Sequence, residues 1–222
     1  QATIALHREP RGTLRISAPD AFGWMHVAPA IPPFLQRYPE LAVDLTLDER
    51  HVNLVDERLD LAIRIGELSD SPLIVRKLAP SRLMLCAAPA YLARHGAPSA
   101  PADLSAHACL CFPPLWRDGH WRLIGKSGEA RVPVAASIVT NSAEVLRGAA
   151  LGGAGIAMLP TWSIADELRG GALVPVLPGW LPPASVIHAV YPGNRRMSAK
   201  VRSFVDHLLR HIGRRPYWDR DL

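Results

Sequence analysis

Two periodicities alternate along this chain, and their order constrains the fold more than any single residue does. Leu14 and Ile16 share one face of a short strand in Gly12-Thr13-Leu14-Arg15-Ile16-Ser17, which stops at the turn-forming Pro19-Asp20 pair. Val27 to Tyr38 then carries apolar residues at helical spacing, with Pro32 and Pro33 each removing a backbone donor, so a helix starting near Pro29 must have an irregular first turn. Ala42 to Leu47 alternates as a second strand. Asn53 to Arg58 is expected to be a short helix opened by an Asn cap, and Asp60-Leu61-Ala62-Ile63-Arg64-Ile65-Gly66 is a third strand closed by glycine. Strand, helix, strand, helix, strand is the order of parallel α/β architecture, whose ligands bind at the carboxyl ends of strands. Ser17 and Arg64 both fall at such ends.

The pattern restarts after the apolar segment Leu83 to Ala88. Pro89 opens and Gly96 closes a short helix, Ala97 to Ala102 is a connector, and four short strands follow at Cys109–Phe112, Trp121–Ile124, Ala130–Val134 and Ser137–Val139. Asn141-Ser142-Ala143-Glu144 can cap a helix that ends at Gly152 and Gly153, and its N-terminus is an available anion site. Gly155 to Pro160 is a buried strand, with Thr161 expected to cap the helix behind it. Val186 to Tyr191 is a last strand, and Ser198 to Ile212 an amphipathic helix with apolar Val201, Phe204, Val205, Leu208, Leu209 and Ile212. Arg214 to Leu222 is expected to be a frayed tail. The organisation predicted is two α/β units joined by extended segments near 83–88 and 186–191.

Composition narrows the class. Among 222 residues, 49% are hydrophobic and 20% charged, the balance of a folded protein with a sizeable core. No apolar run approaches the roughly 20 residues that span a bilayer, and no signal-peptide pattern opens the sequence, which predicts a soluble, cytoplasmic protein without a membrane partner. The formal charge of +5 is scattered, apart from Arg195-Arg196 and the region from Arg210 to Arg220, so no groove-reading patch is expected. Cys86, Cys109 and Cys111 are an odd number without a disulfide framework, and are expected to be reduced and buried.

Motifs for chemistry are weak. Gly125-Lys126-Ser127 is like the end of a phosphate loop but lacks a glycine at His120, and Gly148 to Gly155 closes a helix where a dinucleotide fingerprint would open one. His107, Cys109 and Cys111 lack zinc spacing, and His207 and His211, one turn apart, have no intervening Glu of a metalloprotease pair. No nucleophile elbow or triad is nominated, so no enzyme, metal or cofactor is expected. Arg64 differs: a guanidinium ending an apolar strand is costly to bury alone. Either it pairs with Asp44, Asp60 or Glu67, or it receives an anionic or polar ligand in a cleft.

A resemblance covers almost the whole chain. Leu14-Arg15-Ile16-Ser17-Ala18-Pro19 with Phe22-Gly23, Phe34-Leu35-Gln36-Arg37-Tyr38-Pro39, Asp60 to Gly66, Cys86 to Leu92, Asn141 to Arg147, Gly153 to Pro160 and Ala189 to Pro192 resemble, in order, the LysR-type transcription regulators. The resemblance implies an α/β fold of two Rossmann-like lobes joined by two hinge crossings, like type 2 periplasmic binding proteins. It implies lobe I over 12–86 plus 190–213 and lobe II over 87–189, with 1–11 a linker remnant and 214–222 a tail. It implies that a small effector sits between the lobes, on Ser17, Ala18, Pro19, Phe22, Arg64 and Ile65 of one and Asn141, Ser142 and Pro160 of the other. A carboxylate-bearing or aromatic effector is expected, because Arg64 supplies a bidentate cation and the helix behind Asn141 and Ser142 supplies free N–H groups. Self-association as a dimer or tetramer is implied, with DNA bound only through a winged helix-turn-helix not present before Gln1. Pro32 and Pro33 are unusual in the family's dimer-forming helix. Transport of a solute is the alternative reading.

Overall fold

In the computed structural model of the chain, the described residues are 10–49, 54, 56–68, 72–193 and 198–222. They fall into two compact units, one made of Gln1–Pro80 with Val186–Tyr217 and the other of Ser81–Ser185 with Trp218–Leu222.

The first unit is built on a five-stranded sheet. Its strands are β1 (Gly12–Ala18), β2 (Leu41–Leu47), β3 (Leu61–Ile65), β4 (Leu73–Ser81) and, from much later in the chain, β13 (Ser185–Pro192), ordered β2-β1-β3-β13-β4. β1 lies parallel to both β2 and β3, while β13 runs antiparallel to β3. Leu14 and Ile16 bury fully on one face of β1, as their alternation predicts. On the other face Arg15 reaches Asp44 of β2 at 3.7 Å, a solvated pair of small value.

Between β1 and β2 the chain stays helical but changes pitch three times. A first turn α1 (Asp20–Phe22) passes into a π turn over Gly23–Val27, a 3₁₀ turn over Ala28–Ala30, and then α2 (Ile31–Arg37). Prolines mark the last two of these changes. Pro29, Pro32 and Pro33 each occupy the first positions of a new segment, where the missing N–H is not needed. The helical run therefore begins at Asp20, well before the start near Pro29 that was expected. Phe34 of α2 meets Phe204 of α6 (Ala199–Ile212) edge-on at 4.9 Å, closing the core on that side. Ser198 caps α6 by accepting the Val201 N–H, and Lys200 reaches Asp60 at 2.6 Å.

The second unit holds a sheet ordered β11-β5-β10-β6-β9 and a smaller one ordered β12-β7-β8. Their strands are β5 (Leu83–Ala87), β6 (Ala108–Cys111), β7 (His120–Gly125), β8 (Gly128–Pro133), β9 (Ala135–Val139), β10 (Ile156–Pro160), β11 (Val174–Pro175) and β12 (Trp180–Leu181). Its helices are α3 (Pro89–His95), α4 (Ala143–Leu151) and α5 (Thr161–Gly170). β6, β9 and β10 are parallel, so their carboxyl ends share one edge. The Gly125-Lys126-Ser127 segment is a hairpin turn, because Gly125 pairs with Gly128 and β7 and β8 run antiparallel.

Four expectations need correction. The segment 214–222 is no frayed tail: Trp218 and Asp219 are buried, Asp219 lies 3.5 Å from Arg82, and Arg169 donates to the carbonyls of Trp218 (2.9 Å) and Arg220 (3.0 Å). A mainly polar, arginine-rich composition hid a tryptophan anchor. The chain therefore passes between units after Pro80, after Ser185 and again after Tyr217, where two passages were expected. The described part of Asn53–Arg58 is turn, with Arg58 at φ 54°, a conformation no helix contains. Thr161 is the first helical residue, not the cap: Pro160 precedes it in extended conformation, and the buried Thr161 hydroxyl faces the Arg82 carbonyl. Asn53 and the Arg195-Arg196 pair lie outside the described residues. Among the described residues no helix is long and apolar enough to cross a membrane.

Candidate functional site

The expected site residues of the first unit collect at one edge of its sheet. Ser17 and Ala18 end β1, and Pro19, at φ −56° and ψ 140°, turns the chain into α1, where its carbonyl accepts the Gly23 N–H at 2.7 Å. Ser17 is the register partner of Ala62 on β3, so Arg64 and Pro19 each lie two residues further along parallel neighbours. The strand ends thus bring Ser17, Ala18, Pro19, Arg64 and Ile65 to one place. Phe22 stands apart: its ring is buried and tilted against His26 at 4.9 Å, which makes it a floor for the turn. Nearby, the Asp20 N–H donates to Glu49 at 3.0 Å, and burial pushes the Glu49 carboxyl up.

Arg64 is half-buried, and burial pulls its guanidinium below its ordinary value. Two of the carboxylates considered for it are committed elsewhere, Asp44 to Arg15 and Asp60 to Lys200. Directly opposite Arg64 on the antiparallel ladder stands His188 of β13. The sequence offered one signal for His188, a lone polar ring in the apolar run Val186 to Tyr191, but its place beside Arg64 depends on which strand pairs with β3.

In the second unit, Asn141 and Ser142 follow β9, and Pro160 ends β10, at the shared carboxyl edge. Ser142 is the cap of α4: its hydroxyl accepts the Val145 N–H at 3.4 Å, and its own N–H donates to Thr140 Oγ1 at 3.2 Å. Asn141 is exposed. The N-terminal end of α4 also carries Glu144, which lies 3.7 Å from Arg147, and Arg147 in turn pairs with Glu167 of α5. Sequence reasoning missed this Glu144, Arg147 and Glu167 set, because the contact between two helices twenty residues apart leaves no local pattern. Among the described residues no group of three or more His, Cys, Asp or Glu side chains is placed to hold a metal ion.

A family model described as the LysR substrate binding domain matches residues 7–213. The chain belongs to this family. It is 40% identical over 206 residues to the HTH-type transcriptional regulator DmlR of Escherichia coli (strain K12), covering 91% of this chain and 66% of that protein. It is 34% identical over 212 residues to the HTH-type transcriptional regulator PtxR of Pseudomonas aeruginosa, covering 96% of this chain and 68% of that one. The LysR-type chain thus spans about two thirds of the length of these relatives. The regulatory domain of CrgA, a LysR-type transcriptional regulator from Neisseria meningitidis, superposes with a TM-score of 0.81 at 30% identity over 92% of this chain and 100% of that one. Full-length AphB of Vibrio cholerae gives 0.80 at 28% identity over 91% of this chain and 69% of its own. The fold is that of LysR-type regulatory domains, the type 2 periplasmic-binding-protein-like class.

Proposed function

We propose that this LysR-type domain senses a small carboxylate-bearing or aromatic molecule, and that in the whole regulator this binding alters how DNA-binding domains are presented. The observation that carries the reading is the convergence of Ser17, Pro19 and Arg64 at the carboxyl edge of parallel strands, the position where α/β sheets receive ligands. Arg64 supplies the charge and planar donors for a carboxylate. In the second unit, Asn141 and the N–H groups opening α4 supply neutral donors, while the Ser142 hydroxyl serves the helix cap. Ala18, Ile65 and Pro160 give apolar surface, and Phe22 supports the turn from beneath. Self-association as a dimer or tetramer, contact with DNA through a further domain and a cytoplasmic setting belong to the same reading.

Regulation requires that the effector discriminate between states of the domain, since equal affinity for both shifts nothing. Relatives that are transcription regulators favour this reading over solute transport. The same relatives argue against catalysis. The test is a thermal-shift screen of the chain against small carboxylates and phenolics, with Arg64→Ala alongside. A ligand at about 100 times its dissociation constant adds roughly 2.7 kcal/mol to stability. A shift seen in the wild type and lost in Arg64→Ala is the expected outcome. Equal shifts in both would remove Arg64 from the site.

A further inference from the structure

The segment after α6 is fastened to both units within three residues. Gly213, at φ 85°, ends α6 and turns the chain away from the helix. A single 3₁₀ turn, Tyr217–Asp219, follows, and the boundary between the units falls inside it, between Tyr217 and Trp218. On the first side Tyr217 is held by two histidines: its hydroxyl is 2.5 Å from His26 Nδ1, and His211 of α6 meets its ring edge-on at 5.7 Å. His26 is buried and also packs on the ring of Phe22, the floor of the turn that Pro19 makes at the end of β1. On the second side Trp218 and Asp219 are buried, Arg169 of α5 donates to the Trp218 and Arg220 carbonyls, and Asp219 lies 3.5 Å from Arg82. The Arg82 carbonyl in turn accepts the Thr161 N–H at 2.8 Å, one residue after Pro160 ends β10. Each of these contacts lies within its own unit, and what passes from one unit to the other at this point is a peptide bond.

We infer that the turn Tyr217–Asp219 is a strap that couples the two parts of the candidate site, the turn at Pro19 and Phe22 in the first unit and the end of β10 at Pro160 in the second. The inference rests on the reading of those residues as effector contacts, and it assigns the strap a regulatory role with no ligand contact of its own. A planar peptide cannot stretch, and a 3₁₀ turn holds neighbouring residues about 2 Å apart along its axis. The groups at the ends of the turn meet buried, packed partners, which transmit a displacement that a loose loop would absorb. A shift of Phe22 therefore moves His26, the phenol bonded to it and, one residue on, Trp218. A shift of Pro160 reaches Asp219 by way of Thr161 and Arg82. Coupling of this kind is reciprocal, so a change at either end is felt at the other.

The experiment is amide hydrogen exchange on the 222-residue chain without ligand. It compares Trp218→Ala, Tyr217→Phe, and a chain with Gly-Gly-Ser inserted between Tyr217 and Trp218, which keeps both anchors and lengthens only the connection. Trp218→Ala, a change in the second unit, should speed exchange of the amides of 22–27 in the first by about tenfold, the scale of one hydrogen bond of ordinary worth. Leu14 and Ile16 of β1 should keep their rates. Tyr217→Phe removes one hydroxyl from the first unit and should speed exchange of the Thr161 amide in the second. In the chain carrying the insertion, Trp218→Ala should no longer reach 22–27. Exchange that changes only in the unit carrying the substitution would overturn the inference. So would an effect that survives the insertion, or an acceleration in β1 equal to that at 22–27, the mark of general loosening. Should the thermal shifts depend on Arg64 while exchange is not transmitted, the effector reading stands without the strap. If exchange is transmitted and no thermal shift depends on Arg64, it is the effector reading that falls.

Discussion

Two histidines of the first unit are held neutral by their surroundings. Burial lowers both, with Lys77 adding to the effect at His188, while at His207 the N–H donated to the Ala30 carbonyl at 2.8 Å only partly opposes it. The unfolded chain, with ordinary imidazoles near about 6.5, therefore binds more protons than the folded one below that value. Stability should be fully present above about pH 6.5 and fall as pH drops through the lowered midpoints. Thermal melts from pH 7.5 to pH 5 check this, and replacing both His188 and His207 by Gln should flatten the slope. A profile as steep in the double variant would assign the loss to other groups. The residue scale also shows where reading from sequence stops. The place of Arg64 near the end of β3 was legible, because a guanidinium there is anomalous in an otherwise apolar strand. Ser142 was legible as a cap for the same local reason, and its hydroxyl is used that way. His188 was not, because its neighbour is set by pairing between strands more than a hundred residues apart.

Elements decide the fate of the cysteines. Ala157 of β10 is flanked by Cys86 of β5 on one side and Leu110 of β6 on the other, and partners across a sheet share a face. Cys86 thus points with Leu110, into the cluster around Leu146 and Ile164. Cys109 and Cys111 point the opposite way, among Trp121, Leu123 and Met158. A bond from Cys86 to either would have to pass through the sheet, and Cys109 and Cys111, alternate residues of one strand, stand too far apart to be bridged without distortion. Burial pushes Cys86 and Cys109 up to about 12 and Cys111 up to about 11. A thiol reagent should label none of the three in the folded chain and all three in denaturant, and peroxide should leave no intramolecular disulfide. Rapid labelling of the native chain would show that one face of this sheet opens. Sequence alternation placed Cys109 and Cys111 together, but the relation to Cys86 required the strand order β5-β10-β6. The helical run from Asp20 to Arg37 tells a similar story: prolines announced an irregularity, and only the backbone resolved it into π, 3₁₀ and α segments.

At the scale of the molecule, strand and helix order alone led to two α/β units, and the matching regulatory domains share that architecture. What composition concealed was the segment after α6. Tyr217 hydrogen-bonds His26 at 2.5 Å within the first unit, while Trp218 and Asp219 belong to the second. Trp218→Ala should cost about 3 kcal/mol, the scale of a large buried ring removed from a core. Chemical denaturation of the variant measures it, and a loss within about 0.5 kcal/mol would make the segment a surface ornament. The threading also bears on how such a protein comes off the ribosome. β13, which stands between β3 and β4, is supplied by residues 185–192, so the first 80 residues emerge lacking an interior strand of their own sheet. The second unit waits longer still, for residues 218–222. Neither half is complete when its main portion leaves the exit tunnel: the sheet of the first waits for β13, and the core of the second for the buried Trp218. A nascent chain of this design closes its first sheet only after the strands of the second unit have been made.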